Sequence, residues 1–294
     1  MTAAAPARLE AARYARLAHF RHDGTGSRSY GPGPGQRGPA GPASRQPVLL
    51  LHGLGGDCAQ PWAYLDATDG LRRIAPDLRA HGATSYIGPE DAFTFDGLAD
   101  DVIALLDRLG LTRPVVAVGV SMGAGVTLNL ALRYPERLAA LALIRPAWLD
   151  RPMPPHLAAY PLMAGLLRAH GAADGLTRFE RSGLYRSVQA ESPAAAASLR
   201  GQFAAAYATD RAVRLDRIPH SAPSSGTAAL GQVRQPALVV GAPRDPVHPL
   251  ALAEATAAAL PDASLRVVSE RDQDPARQLA QIAQETARFV ARVR

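Results

Sequence analysis

"VAVGVSMGAG", Val116 to Gly125, decides how the rest of this chain is read. An apolar run of strand length ends in Gly119-Val120-Ser121-Met122-Gly123 and passes directly into the helical pattern "AGVTLNLALRYP". So sharp a strand-to-helix turn has room only for small residues two positions before and two after the serine. It also pushes the hydroxyl into the open at a helix N-terminus. Backbone N–H groups and the helix dipole there favour a developing oxyanion. With 26 glycines among 294 residues the bare Gly-x-Ser-x-Gly pattern is a weak signal; its position at a strand-to-helix junction gives it weight.

A second element agrees with the first. "VLLLHGLGGD", Val48 to Asp57, reads as a buried strand that ends in His52-Gly53 and a glycine-rich turn. Acyl transfer needs two N–H donors converging on one oxygen. Met122, just after the serine, is one candidate donor, and Leu54, just after His52-Gly53, is the other. An ordinary turn after a strand also uses glycine where φ is positive, so this loop takes its meaning from the serine beside it.

Further apolar runs occur at Pro47–Leu51, Leu71–Ala75, Pro114–Val120, Leu138–Ile144, Pro236–Val240 and Ser264–Val268, with helical patterns between several of them. In "DGLADDVIALLDRLGL" the residues Leu98, Val102, Leu105, Leu106 and Leu109 share one face. Asp96 is placed to cap that helix and Gly110 to stop it. Continuous apolar strands separated by helices predict an α/β fold, a parallel sheet covered on both faces with ligands beyond the carboxyl ends of its strands. Between Arg145 and Gln235 the strand pattern lapses into alanine-rich helical pieces, which predicts a helical cap. The Gly-, Pro- and Ser-rich segment Gly24 to Gln46 predicts an irregular loop. The expected organisation is an N-terminal element and loop over 1–46, a core over 47–144 and 236–294, and a cap or lid over 145–235.

The net charge of +6 and pI near 10 invite a nucleic-acid partner, but other features weigh against one. All basic residues are arginine, scattered among acids, and aromatics make up 5% of the chain, leaving little to stack on bases. The longest apolar runs fall far short of the roughly 20 residues of a membrane span, and the first twenty residues lack a secretion signal. One cysteine, Cys58, fits a reducing compartment, so the expectation is a cytoplasmic protein without membrane or nucleic-acid partners. No His, Cys and carboxylate residues have the sequence spacing of a metal site, and "GPGPG" at Gly31 to Gly35 lacks the context of a nucleotide loop, so no cofactor is expected.

These motifs together resemble the α/β-hydrolase superfamily from about Pro47 to the C-terminus, apart from the insertion. "APDLRAHGAT", Ala75 to Thr84, is similar to the family's PDLRGHGxS loop, with Ala80 in place of a glycine. "PALVVGAPRDPVHP" resembles the strand that delivers the catalytic acid, which puts Asp245 in the acid position. The resemblance implies a mostly parallel sheet of about eight strands flanked by helices, with a helical cap after the strand ending near Ile144. It also implies that His52 and His81, with Gly53, support loops.

The family order is Ser, then Asp or Glu, then His on the loop after the last strand. That loop here, "RDQDP" from Arg271 to Pro275, has no histidine, and all eight histidines lie at or before His248. Three readings stay open. His248, three residues past Asp245, takes over as base, against the alternative that it merely packs before Pro249. Or His52 or His81 participates. Or Asp272, Gln273 or Asp274 fills the histidine's space and the site is no longer a triad. The expected function is a serine hydrolase acting on an ester, lactone or thioester through Ser121, with Asp245 as acid, His248 as provisional base, and Leu54 and Met122 as the oxyanion hole. The alternatives are a cofactor-free lyase, cyclase or isomerase, or a silent ligand-binding relative. A small acyl compound is the expected partner.

Overall fold

The computed structural model describes residues 4–22, 27–29, 46–65 and 71–293. In chain order the main elements are α1 (Ala4–Leu17), β1 (His19–His22), β2 (Ser27–Ser29), β3 (Gln46–Leu51), α2 (Ala59–Trp62), β4 (Leu71–Pro76), α3 (Phe95–Arg108), β5 (Val115–Val120), α4 (Met122–Arg133) and β6 (Leu138–Ile144). Five helices follow: α5 (Ala159–Glu180), α6 (Gly183–Glu191), α7 (Pro193–Ala204), α8 (Val213–Arg217) and α9 (Thr227–Leu230). The chain then closes with β7 (Ala237–Gly241), α10 (Leu250–Ala259), β8 (Ala263–Val267) and α11 (Pro275–Arg292).

The strands form one eight-stranded sheet in the order β2-β1-β4-β3-β5-β6-β7-β8. The six strands from β4 to β8 run parallel, and β1 and β2 add an antiparallel edge. This is an α/β-hydrolase fold. Both sheet faces are buried, which explains the unbroken apolar runs. Side chains alternate along each strand: Leu49, Leu51, Val115 and Ala117 join the core on one face, and Val48, Leu50, Val116 and Val118 join the core on the other.

Two expectations fail here. The segment Gly24 to Gln46 is not wholly irregular, because Ser27–Ser29 pairs with β1 and Gln46 opens β3; its residues 24–26 and 30–45 lie outside the described residues. Neither "HFRH" nor "SRS" carries a strand pattern. The first becomes a strand on the open edge of β4, and the second pairs in turn with the first. The cap of α3 is Thr94, whose side chain accepts from the N–H of Gly97, while Asp96 is the second residue of the helix, within its first turn. Gly110 ends that helix at φ 66°, a left-handed position.

A buried ion pair ties the loop after β4 to α3. Arg79 donates from Nε and Nη2 to the two oxygens of Asp101, each at 2.6 Å, and both side chains are almost wholly buried. Among the described residues no helix is long and apolar enough to cross a membrane. The carboxyl ends of the six parallel strands share one edge of the sheet, and the functional residues converge there.

Candidate active site

Ser121 occupies the turn between β5 and α4 at φ 53° and ψ −110°, a strained conformation for any residue but glycine. The neighbouring glycines make the turn possible. A Cβ at Gly119 would lie 2.1 Å from the carbonyl oxygen of Gly123, and one at Gly123 would lie 2.3 Å from the carbonyl oxygen of Leu51. Both obstacles are backbone and cannot swing aside.

The loop after β3 packs directly on this turn: a Cβ at Gly53 would stand 3.3 Å from that of Ser121. The Gly53 N–H donates to Gln60 Oε1 at 2.7 Å, and the Gly56 N–H donates to the Gly53 carbonyl at 2.9 Å. Among the described residues no hydrogen bond engages the N–H of Leu54 or of Met122, the first residue of α4. His52 is buried and bridges two loops. Its Nδ1 lies 2.8 Å from the Gly53 carbonyl, and its Nε2 accepts from the N–H of Leu78 at 3.0 Å. Burial lowers its pKa, so the ring is neutral, with the proton on Nδ1. His81 stacks 4.8 Å from His52, and its Nδ1 meets the carbonyl of Arg79 at 2.8 Å. Neither ring reaches Ser121.

His248 does. Its Nε2 lies 2.9 Å from Ser121 Oγ. On its other side Nδ1 lies 3.1 Å from both oxygens of Asp245. Both residues sit on the loop between β7 and α10, and the N–H groups of Val247 and His248 donate to Asp245 Oδ1 at 3.1 and 3.0 Å. A triad-like chain of contacts is therefore made with the histidine after β7 rather than after β8.

Sequence reasoning missed a fourth member. Arg145, expected to open the helical insertion, turns the chain at the end of β6 with φ 49°. Its Nε and Nη2 donate to Asp245 Oδ2 at 2.9 and 2.5 Å, and Nη2 also lies 2.9 Å from His248 Nδ1. The two contacts at Nδ1 compete. With a proton on Nδ1 the ring donates to Asp245 and Nε2 can accept from the serine; without one, Nδ1 accepts from Arg145 and Nε2 carries the hydrogen. Burial alone would raise the Asp245 carboxyl, but the charges of His248 and Arg145 hold it well below the usual carboxylate range. Burial pushes the His248 pKa down, Asp245 opposes that, and Arg145 reinforces it.

The loop expected to hold the family's histidine is occupied otherwise. Asp272 accepts from the hydroxyl of Ser192 and from the N–H of Ala194 at 2.7 Å, tying the loop to the start of α7. Gln273 donates to Glu270 at 3.0 Å, and Asp274 caps α11 by accepting from the Arg277 N–H at 2.8 Å. None of the three faces the serine. Arg271 does line the cavity of about 260 Å³ beside Ser121, together with Arg145, Tyr160, Leu199 and Gln202.

Outside this site, His19, Cys58 and Asp77 bring possible ligand atoms within 4.8 Å of one another, a grouping that sequence spacing hides. Asp77 already accepts from the N–H groups of Cys58 and Ala83 at 2.7 and 2.8 Å, and burial pushes the Cys58 thiol up to about 12. This arrangement braces the loops that follow β3 and β4.

Comparison with known proteins agrees with this architecture. The profile of the alpha/beta hydrolase fold family matches residues 46–272. A pimeloyl-[acyl-carrier protein] methyl ester esterase from Aromatoleum aromaticum is 34% identical over 243 residues, 76% of this chain and 88% of that protein. Lipase LipV from Mycobacterium tuberculosis is 38% identical over 111 residues, which span 37% of this chain and 40% of the lipase. The solved structure of a thermophilic esterase from Thermogutta terrifontis superimposes with a TM-score of 0.68 at 25% identity, over 94% of this chain and 93% of that one.

Proposed function

The chain belongs to the alpha/beta hydrolase fold family, and from that premise we propose that it is a serine esterase working through Ser121, His248 and Asp245. The observation that carries the proposal is the 2.9 Å contact between His248 Nε2 and the hydroxyl of a serine held in a strained elbow. A serine hydroxyl is a poor nucleophile until a neighbouring base takes its proton. In this reading His248 takes that proton as Ser121 Oγ bonds to the ester carbonyl carbon. The N–H groups of Leu54 and Met122 hold the resulting oxyanion.

Collapse of this intermediate breaks the bond to the alcohol, and the imidazolium returns the proton to the departing oxygen. Water then attacks the acyl-enzyme, gives one proton to His248, and releases the acid as Ser121 regains its hydrogen. Asp245 orients the imidazole and stabilises its charged form. Helices α5 to α9 serve as the cap that bounds the substrate, contributing Tyr160, Leu199 and Gln202 to the wall. The esterase relatives support an ester substrate over a lactone or thioester.

A fluorophosphonate probe tests this. Ser121 is expected to be labelled in the folded wild type, and labelling is expected to disappear in Ser121→Ala and in His248→Ala. Absence of labelling in folded wild-type protein overturns the esterase reading. Undiminished labelling of His248→Ala removes His248 from the base position.

A further inference from the structure

The cavity beside Ser121 is lined by two arginines, Arg145 and Arg271, and, among the described residues, by no aspartate or glutamate. Arg145 is committed to Asp245. Arg271 is not committed to any acid: among the described residues its hydrogen bond is to the neutral hydroxyl of Ser198, at 2.8 Å, and no carboxylate lies within ion-pair distance. Its neighbours in sequence are engaged elsewhere. Asp272 is bound to Ser192 and Ala194, and Glu270 accepts from Gln273 with Arg244 at 3.8 Å. A second polar group lacks a partner in the same wall. Gln202 is more than nine-tenths buried, its Nε2 donates to the Leu54 carbonyl at 3.4 Å, and its Oε1 has no donor. That oxygen lies against Gly55, where a Cβ would come within 1.9 Å of it.

A half-buried cation with no carboxylate partner, lining the cavity beside a reactive serine, is a polar site open to an anionic ligand. We propose that the substrate is a small ester bearing a carboxylate, which pairs with Arg271. A planar guanidinium accepts a carboxylate through two parallel hydrogen bonds, and such a pair gains strength where water is excluded. The cavity of about 260 Å³ beside Ser121 accommodates a short-chain ester. The position that would carry the family's histidine thus carries a recognition group, and the base has moved to His248.

The bond that is cut rests on the esterase reading, but the binding does not, so binding is measured without turnover. Ser121→Ala protein is titrated calorimetrically with monomethyl glutarate and with methyl pentanoate, which have the same chain length and differ in the terminal carboxylate. Monomethyl glutarate is expected to bind at least tenfold more tightly. In Ser121→Ala/Arg271→Met the ratio of the two dissociation constants is expected to fall to within about threefold of one, and Arg271→Lys is expected to retain part of it.

Equal affinity for the two esters in Ser121→Ala, or a preference that survives Arg271→Met in a folded protein, overturns the proposal. Inorganic phosphate is the control for a general anion site, and displacement of monomethyl glutarate by phosphate at equal concentration overturns the carboxylate assignment. Loss of fluorophosphonate labelling with the carboxylate preference intact would strike the esterase reading alone. The reverse pattern would strike this inference alone.

Discussion

Replacing Asp245 by asparagine sets the two contacts at His248 Nδ1 against each other. In the native site Nδ1 lies 3.1 Å from the Asp245 oxygens and 2.9 Å from Arg145 Nη2. The negative carboxylate wins the proton, which leaves Nε2 able to accept from Ser121. Asparagine keeps an oxygen for the N–H groups of Val247 and His248, so its amide nitrogen takes the place of Oδ2. Nδ1 then faces two donors, the new amide and Arg145, against one uncharged oxygen, and the balance moves toward accepting. The ring hydrogen moves to Nε2 and points at Ser121, the tautomer that cannot take the serine's proton.

The expected loss in kcat/KM is about 10⁴-fold, or about 5.4 kcal/mol at 1.36 kcal/mol per tenfold. Adding Arg145→Met removes one of the two donors and allows the amide to turn its oxygen to Nδ1. The double variant is therefore expected to recover at least about tenfold over Asp245→Asn, a coupling between contacting residues that independent effects would not give. Hydrolysis of 4-nitrophenyl butyrate, normalised to folded protein by circular dichroism, reads all four proteins. A loss below tenfold in Asp245→Asn, or a double variant as poor as the product of the two single variants, would refute the tautomer argument.

Other outcomes follow from the same geometry. Burial and Arg145 lower the pKa of His248 below the ordinary 6.5, so its base form survives into more acidic solution and the acid limb of kcat/KM is expected to lie at lower pH than an ordinary imidazole would give. Arg145→Met relieves part of that depression, and the acid limb of the profile is expected to move to higher pH; a shift to lower pH would contradict the assigned cause. Asp101→Ala leaves the Arg79 guanidinium buried without its carboxylate, at a cost of about 3–5 kcal/mol. At about 2 °C per kcal/mol for a chain of this size, thermal melting is expected to fall by about 6–10 °C. Gly123→Ala drives a methyl group against the Leu51 carbonyl at 2.3 Å, and is expected to cost about 3 kcal/mol in denaturant titration and to reduce hydrolysis by moving the loop that carries Leu54. A variant of native stability and activity would show that the elbow tolerates more than its contacts indicate.

Much of the fold could be read from short-range patterns. Strands β3, β5, β6 and β7 declare themselves because burial on both faces demands continuous apolar residues, and the elbow because its turn excludes any side chain at Gly119 and Gly123. The edge strands β1 and β2 escape notice for the opposite reason: four and three polar-rich residues have no pattern of their own, and they pair because β4 presents free backbone groups to β1 and β1 presents its own to β2. Asp96 and Thr94 are both sound caps in sequence, and the choice between them depends on the backbone angles at the entry to α3.

In the site the same division appears. The sequence by itself determined that a serine would stand at a sharp strand-to-helix turn beside a glycine-rich loop, since both are consequences of local sterics. It also brought Asp245 and His248 within three residues of each other on one loop. Tertiary structure decided the rest. Only the register of β5 beside β6 and β6 beside β7 carries His248 to Ser121, and only the turn at the end of β6 swings Arg145 onto Asp245, one hundred residues away. It likewise turned Asp272 toward α7 and left Arg271 facing the cavity. A residue's local conformation depends on its neighbours in the chain, whereas a charge finds its partner according to which strand ends the sheet brings together.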